Sequence, residues 1–285
     1  MNKIKLILLI VICFSSEGLS EPLKLKYFQK DHRYNYRIDL LKLVMDKTVD
    51  SDGSYSLEAV EGEMTQSRWL AFLEEGKKVN VGFFPSNKER EARFLAIKVP
   101  ILRGLLGYRV SLIRKDRLID FSKIKSLDEL KTGYYAGFGN QWADMKILRA
   151  NNIPVVGTAK YSSLFKMLSA KRFDYFPRGI NEAWNEISKE KKSHPELVVD
   201  PYIALYYPYP VYFFVNKKNL KLADRIERGL KLALEDGTFK ELFLKYHKEA
   251  LKRANLKKRK LFILENPTLV EGALKIDTTW WLDRK

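Results

Sequence analysis

Arg172–Glu182 reads RFDYFPRGINE. Phe173, Tyr175 and Phe176 place β-forming aromatics around Asp174, so the segment starts as a strand. Pro177 is expected to stop it, because proline has no N–H to give a sheet ladder. Arg178, Gly179, Ile180, Asn181 and Glu182 then make a charged turn that leads into a helical run. A strand ending in a sharp turn with Arg and Glu is how an α/β sheet presents ligand-binding groups at its carboxyl edge. A surface loop with two solvated charges reads the same way, so the neighbouring segments must decide.

Upstream, the elements alternate. LKLKYF (Leu23–Phe28) alternates apolar and basic residues as a half-buried strand, and RIDLLKLVMD (Arg37–Asp46) has helical spacing. Asp50–Ser54 is a turn cluster before a second strand, YSLEAV (Tyr55–Val60). Thr65 can cap a helix with Trp69, Leu70, Phe72 and Leu73 on its apolar face and Gly76 at its end. VNVGFF (Val79–Phe84) is a third strand. This order predicts an α/β lobe with a largely parallel sheet.

The second half repeats the alternation. Tyr108–Ile113 is strand-like, Ser126–Glu129 has the spacing of a capping box, and Thr132–Ala136 rises into Gly137-Phe138-Gly139-Asn140. Gln141–Ala150 reads as a helix, Val155-Val156 as a strand and Ser162–Ala170 as a helix, which returns the chain to Arg172–Glu182. Val211–Val215 is an apolar strand, Leu220–Glu235 is amphipathic, and Thr238–Glu241 is a second capping-box pattern after Gly237.

The first twenty residues have a basic start, MNKIK, a nine-residue apolar core, LILLIVICF, and a small polar segment, the pattern of a cleavable secretory signal. The core is far shorter than the ~20 apolar residues that span a bilayer. Cleavage near Ser20 removes the single cysteine, Cys13, and leaves 265 residues with a net charge of about +16. No disulfide or thiol chemistry is expected, and the length suits two lobes. Export argues against nucleic acid as the partner of this charge and favours anionic ligands or an anionic membrane surface. The cations cluster only over Lys240–Lys260, which reads as a solvated helix face or a docking surface.

Catalytic patterns are sparse. His32, His194 and His247 are far apart and share no metal-binding spacing, so no metal or other cofactor is expected. There is no Gly-x-Ser-x-Gly elbow. Trp142 stands where a dinucleotide turn would need its third glycine, although the Gly137/Gly139 pair before a helix still offers N–H groups to an anion. Arg90 and Arg93 follow the third strand's end, where guanidinium forks meet carboxylates. Trp142, Tyr27 and Tyr34 are candidate aromatic walls.

Taken in order, these segments resemble the bacterial extracellular solute-binding proteins of the amino-acid-binding type, family 3, from about Leu23 to Lys252. Asn87-Lys88-Glu89-Arg90 followed by VPIL resembles the family's Thr-x-x-Arg segment, with Asn87 in place of threonine and Ser86 one residue earlier. Ser126–Leu130 resembles its SLDDLKG segment, Ala136–Gln141 its carboxylate-binding turn, and Leu230–Lys245 its closing helix pair with DGT between. The resemblance implies the type II periplasmic-binding-protein fold: two α/β lobes joined by two crossing strands. Residues 21–112 and 212–285, tail included, would form the first lobe and 113–211 the second, with Tyr108–Ile113 and Val211–Val215 crossing.

It further implies a periplasmic protein, expected as a monomer, that captures a small polar, carboxylate-bearing solute by hinge closure for an ABC permease or a membrane sensor. Arg90, or Arg93 if the register slips, would clamp the carboxylate with Ser86 beside it, and Gly139, Asn140 and Gln141 would meet it from the other lobe. In the family an acid after the "DA" strand receives the ligand's α-amine. Here Arg178 stands near the place of that acid and Glu182 lies a helical turn later, a departure that argues against an ordinary α-amino acid and suggests a ligand with more than one anionic group. The alternatives are a dehydratase-like enzyme with Glu182 as acid or base, although no catalytic partner is evident and a non-enzyme is expected, and an exported protein-interaction module.

Overall fold

The computed structural model describes residues 21–28, 34–60 and 66–273. The signal pattern, Thr65, His32 and the end of the tail lie outside the described residues.

The chain runs β1 (Leu23–Phe28), α1 (Asn35–Asp46), α2 (Val49–Asp52), β2 (Tyr55–Val60), α3 (Gln66–Glu75), β3 (Val81–Pro85), α4 (Lys88–Arg93) and β4 (Phe94–Ile97). It continues as β5 (Tyr108–Arg114), α5 (Leu118–Lys123), α6 (Leu127–Gly133), β6 (Ala136–Gly139), α7 (Met145–Ala150), β7 (Val155–Thr158), α8 (Tyr161–Ser169), β8 (Tyr175–Gly179) and α9 (Ala183–Glu190). Last come β9 (Leu197–Val199), β10 (Ile203–Tyr206), β11 (Val211–Asn216), α10 (Leu220–Glu235), α11 (Thr238–Ala254) and β12 (Lys260–Ile263). The two-lobed α/β architecture expected from the alternation is present.

The first lobe holds a parallel β1–β2 pair and an antiparallel β3–β11–β4 sheet. That corrects the expectation of a largely parallel sheet: β11 returns from the far lobe and inserts between β3 and β4 in the opposite direction. Asn80 stitches the pieces together, donating its N–H to Lys26 O and its side-chain amide to Lys24 O. Helix α1 buries Tyr36, Leu40, Leu41, Val44 and Met45. Against it, α10 approaches so closely at Gly229 that a Cβ there would meet Val44 O at 2.2 Å. Only glycine permits that contact.

The second lobe's sheet has the order β12–β10–β5–β8–β6–β7, with β9 also on β5. β12, from the tail, therefore pairs with β10 in this sheet and not with the first lobe's strands. The Lys240–Lys260 run is not one helix: Asn255 takes a left-handed φ of 44° after α11, and Lys260 opens β12.

Pro177 does not stop β8. It sits inside the strand opposite Ser111 of β5. β6 meets β8 only at Ala136↔Tyr175, so beyond that residue β8 has a sheet neighbour on one side and the missing N–H breaks no ladder. Ser126 accepts from Glu129 N at 3.1 Å as its spacing predicts, but Thr238 does not cap α11; Gly237 is the N-cap, and Asp236 accepts from Thr238. Asp50–Ser54 is in part the short helix α2, and the Gln141–Ala150 helix shortens to α7, leaving 140–144 as a turn.

The chain passes to the second lobe over 98–107 and back over 207–210, and crosses again after α11 to reach β12. The first two passages touch: Tyr207 N donates to Gly107 O at 3.3 Å and Ile101 N to Val211 O at 2.9 Å. The proposed crossing strands, β5 and β11, each belong to the sheet of one lobe.

Candidate functional site

A cleft of about 1110 Å³ opens between the lobes. From the first lobe come Phe28 at the end of β1, Tyr34 and Arg37 at the start of α1, Trp69 of α3, and Phe83, Phe84 and Pro85 of β3. From the second come Arg109, Phe138, Trp142, Asp144, Tyr161, Arg178, Asn181, Glu182 and Glu186, with Lys189 and Glu190 at the rim, while Leu106 and Tyr209 belong to the passages.

The first-lobe wall is aromatic. The Tyr34 and Phe83 rings lie 5.8 Å apart, and Trp69 sits 6.1 Å from Phe28. The Arg37 guanidinium stacks 4.7 Å over Tyr34 and donates to Phe83 O at 3.1 Å. Such stacking orients the cation over the ring face.

The second-lobe wall is a buried charge network at the carboxyl ends of β6 and β8, with Arg109 beside it on β5. Arg178 donates Nε to Glu186 Oε2 at 2.7 Å and Nη2 to Glu186 Oε1 at 2.6 Å, and it lies 3.0 Å from Glu182. Trp142, Phe176 and Tyr161 surround its guanidinium within 5.7 Å. Burial works to lower the Arg178 pKa, and Glu182 and Glu186 more than reverse that, leaving it raised.

Arg109 donates Nε to Tyr207 Oη at 2.7 Å and Nη2 to Asp144; the Tyr207 hydroxyl in turn donates to Asp144 at 2.5 Å. Burial again opposes the cation, and Tyr207, Asp144 and Glu182 outweigh it, so Arg109 is also raised. The Tyr209 hydroxyl is pushed up, first by burial and then by Asp144. Asn181 Oδ1 is buried with no hydrogen-bond donor among the described residues.

Of the residues singled out from sequence, Trp142, Arg178 and Glu182 meet in this cleft, with Tyr34 opposite. The others are not among its lining. Arg90 is buried, donates to Pro85 O at 2.5 Å and stacks 5.1 Å from Phe84, and its N–H goes to the capping Asn87 side chain. Burial lowers its pKa, with Tyr209 acting in the opposite sense. Arg93 pairs with Glu74 at 2.7 Å, and the Ser86 hydroxyl donates to Glu91. Tyr27 packs in the core. In the glycine turn, Asn140 N donates to Thr158 O and Trp142 N to Gly139 O, so these N–H groups are already used; Gln141 is exposed.

Sequence reading missed Arg37, Arg109 and Asp144. Arg109 lies in an apolar strand and Asp144 in a run that reads as helix, so neither stands out locally. Among the described residues no group of three His, Cys, Asp or Glu side chains is placed to hold a metal, and no helix is long and apolar enough to cross a membrane.

No family model matches the chain, and no curated protein matches it. Solved structures do. An ancestral arginine-binding protein bound to arginine superposes with a TM-score of 0.53 at 19% identity, over 80% of this chain and 99% of that one. A structure described for glutathione import via GshT and the cystine ABC importer TcyBC of Streptococcus mutans has a TM-score of 0.53 at 18% identity, over 79% and 95%. A histidine kinase sensor domain with similarity to periplasmic binding proteins has a TM-score of 0.53 at 16% identity, over 80% and 96%.

The fold is that of the periplasmic binding proteins. At these identities the likeness concerns architecture. Each similar chain is matched over nearly its whole length.

Proposed function

We propose that this chain is an exported solute-binding protein whose two lobes close on a small, amino-acid-like solute. The observation that carries the reading is the cleft itself, walled by aromatics from one lobe and by a buried charge network from the other, with two touching passages between them. A ligand that contacts both walls favours the closed arrangement by its extra contacts there, which is the thermodynamic basis of hinge closure.

The lining favours a solute of both charge signs. Four cations, Arg37, Arg109, Arg178 and Lys189, face four acids, Asp144, Glu182, Glu186 and Glu190. A purely anionic ligand would leave the acids opposed, and a purely cationic one the arginines. An amine against Glu182 and a carboxylate toward Arg37 would satisfy both. Export through a cleaved leader, action as a monomer, and delivery to an ABC permease or a membrane sensor belong to the same reading. The similar structures include one described for an ABC importer and one sensor domain.

A thermal-shift screen of amino acids, dicarboxylates, diamines and sugars tests this, because specific binding raises the melting temperature by mass action. Stabilisation by zwitterions is expected, with the bound compound recovered unchanged by mass spectrometry. Selective binding of dicarboxylates or sugars would remove the zwitterion assignment, and turnover of the bound compound would replace capture with catalysis.

A further inference from the structure

The surface of α11 carries a charge that the cleft does not use. Between Thr238 and Lys258 seven lysine and arginine residues face only Glu241 and Glu249, and all seven are exposed. Among the described residues none of the seven forms an ion pair, in contrast to the preceding helix. There, Arg228 pairs with Asp52 at 2.6 Å and Asp224 at 2.8 Å, and Lys231 with Glu227 at 2.7 Å. Lys245, Lys248 and Lys252 follow one another at spacings of three and four, forming a stripe along one side of the helix. The opposite side is anchored: Phe239, Phe243 and Ala254 are buried, with Phe243 edge-on to Tyr36 of α1 at 6.0 Å.

We propose that this stripe docks on an anionic phospholipid bilayer. The charge is complementary, and the residue type distinguishes the occupant. Six of the seven cations are lysines, compact point charges on flexible stems that need no fixed acceptor geometry. A specific protein interface would favour arginine and exclude lysine from its centre. A laterally mobile sheet of phosphate headgroups makes no such demand, and each lysine near it strengthens binding by roughly fivefold. No α11 residue lines the cleft, so docking leaves the solute site open.

Vesicle co-sedimentation of the mature protein tests the proposal, with phosphatidylcholine vesicles against vesicles containing phosphatidylglycerol. Binding is expected only to the anionic vesicles and is expected to fall steeply between 50 mM and 0.5 M salt, as screening shortens the reach of the charges. The triple variant K245E/K248E/K252E is expected to bind at least about tenfold more weakly. K217E/K218E/K221E makes the same charge change at exposed positions elsewhere and is expected to retain binding. Circular dichroism checks both folds, and K245Q/K248Q/K252Q serves if the reversal misfolds.

Equal loss in the two charge-reversal variants would show that net charge alone acts, and would overturn the stripe. Failure of the wild-type protein to prefer anionic vesicles would overturn the proposal outright, including where the protein instead binds an acidic polypeptide. Solute binding read by thermal shift is unaffected by either result, so this test is independent of the solute-capture reading.

Discussion

Arg178 and Glu186 form a two-bond fork across the second-lobe face of the cleft, at 2.7 and 2.6 Å, with the arginine side chain 8% and the glutamate 14% exposed. The fork fixes the guanidinium plane between Trp142 and Phe176 and leaves Glu182 as a second carboxylate on the same cation. One guanidinium thus compensates two acids.

Removing that cation takes the fork from Glu186 and one of two neighbouring guanidinium groups from Glu182, which Arg109 also faces. Arg178→Ala is therefore expected to cost about 3–5 kcal/mol of stability in urea unfolding. Arg178→Lys should recover only part of it, because an ammonium cannot form the fork. A loss under about 1 kcal/mol for the alanine variant would place the pair in solvent.

Tyr207 links the other half of the network. Its hydroxyl accepts from Arg109 Nε and donates to Asp144, so Tyr207→Phe leaves two buried polar groups each short of a partner. The expected cost is about 1–3 kcal/mol, measured by urea unfolding. If the variant is as stable as wild type, the hydroxyl is not holding Arg109 in place.

Arg90 separates the family expectation from the geometry. Its side chain bonds Pro85 O and packs on Phe84, outside the cleft lining. Arg90→Ala is expected to lower stability by about 1–3 kcal/mol and to leave affinity for an identified solute within a factor of about three (0.65 kcal/mol). A thousandfold loss of affinity in calorimetry would return Arg90 to the ligand.

The alternation of strands and helices was legible because each element carries its own period, and RFDYFPRGINE did mark an edge of the second lobe that lines the cleft. What was not legible depends on contacts between distant segments. Pro177 reads as a stop until β6 is seen to leave β8 after Tyr175. Arg109 and Asp144 lie thirty-five positions apart and pair only because β5 and the turn before α7 converge. The tail strand β12 is four residues long, too short to announce that it completes the second lobe's sheet.

His247 sets a pH window of its own. It is packed against the Tyr36 and Phe243 rings at 4.8 Å, with Tyr246 at 6.4 Å, and burial followed by the Arg37 charge lowers its pKa to about 4. An unfolded histidine takes up its proton near pH 6.5, so between about pH 6.5 and 4 the unfolded chain binds a proton that the folded chain excludes. Its contribution to stability is therefore complete above this window and falls as pH drops through it, by up to about 3 kcal/mol. The Asp52 and Asp236 carboxyls, held at about 2 chiefly by hydrogen bonds from Arg228 and Lys47, lose their contributions only below about pH 4. His247→Phe is expected to flatten the slope of urea stability between pH 4.5 and 6.5, and an unchanged slope would assign it to other groups.

Gly107 ties the fold to closure. Its carbonyl accepts from Tyr207 N, and a Cβ at this position would stand 2.1 Å from Tyr207 O, an overlap that only separation of the two passages can relieve. Lobe closure by a hinge concentrates backbone change in such passages, so their spacing governs which interlobe angles are reachable. Gly107→Ala should push the passages apart and bias the lobes away from the arrangement in which both walls reach the solute. At least about tenfold weaker solute binding is expected, equivalent to 1.4 kcal/mol taken from closure. Small-angle scattering should then show a smaller ligand-induced contraction than in wild type. Gly133→Ala is the control, since nothing lies within 4 Å of a Cβ there. If Gly107→Ala binds and contracts as the wild type does, the bend between the lobes lies elsewhere than at the 107/207 contact.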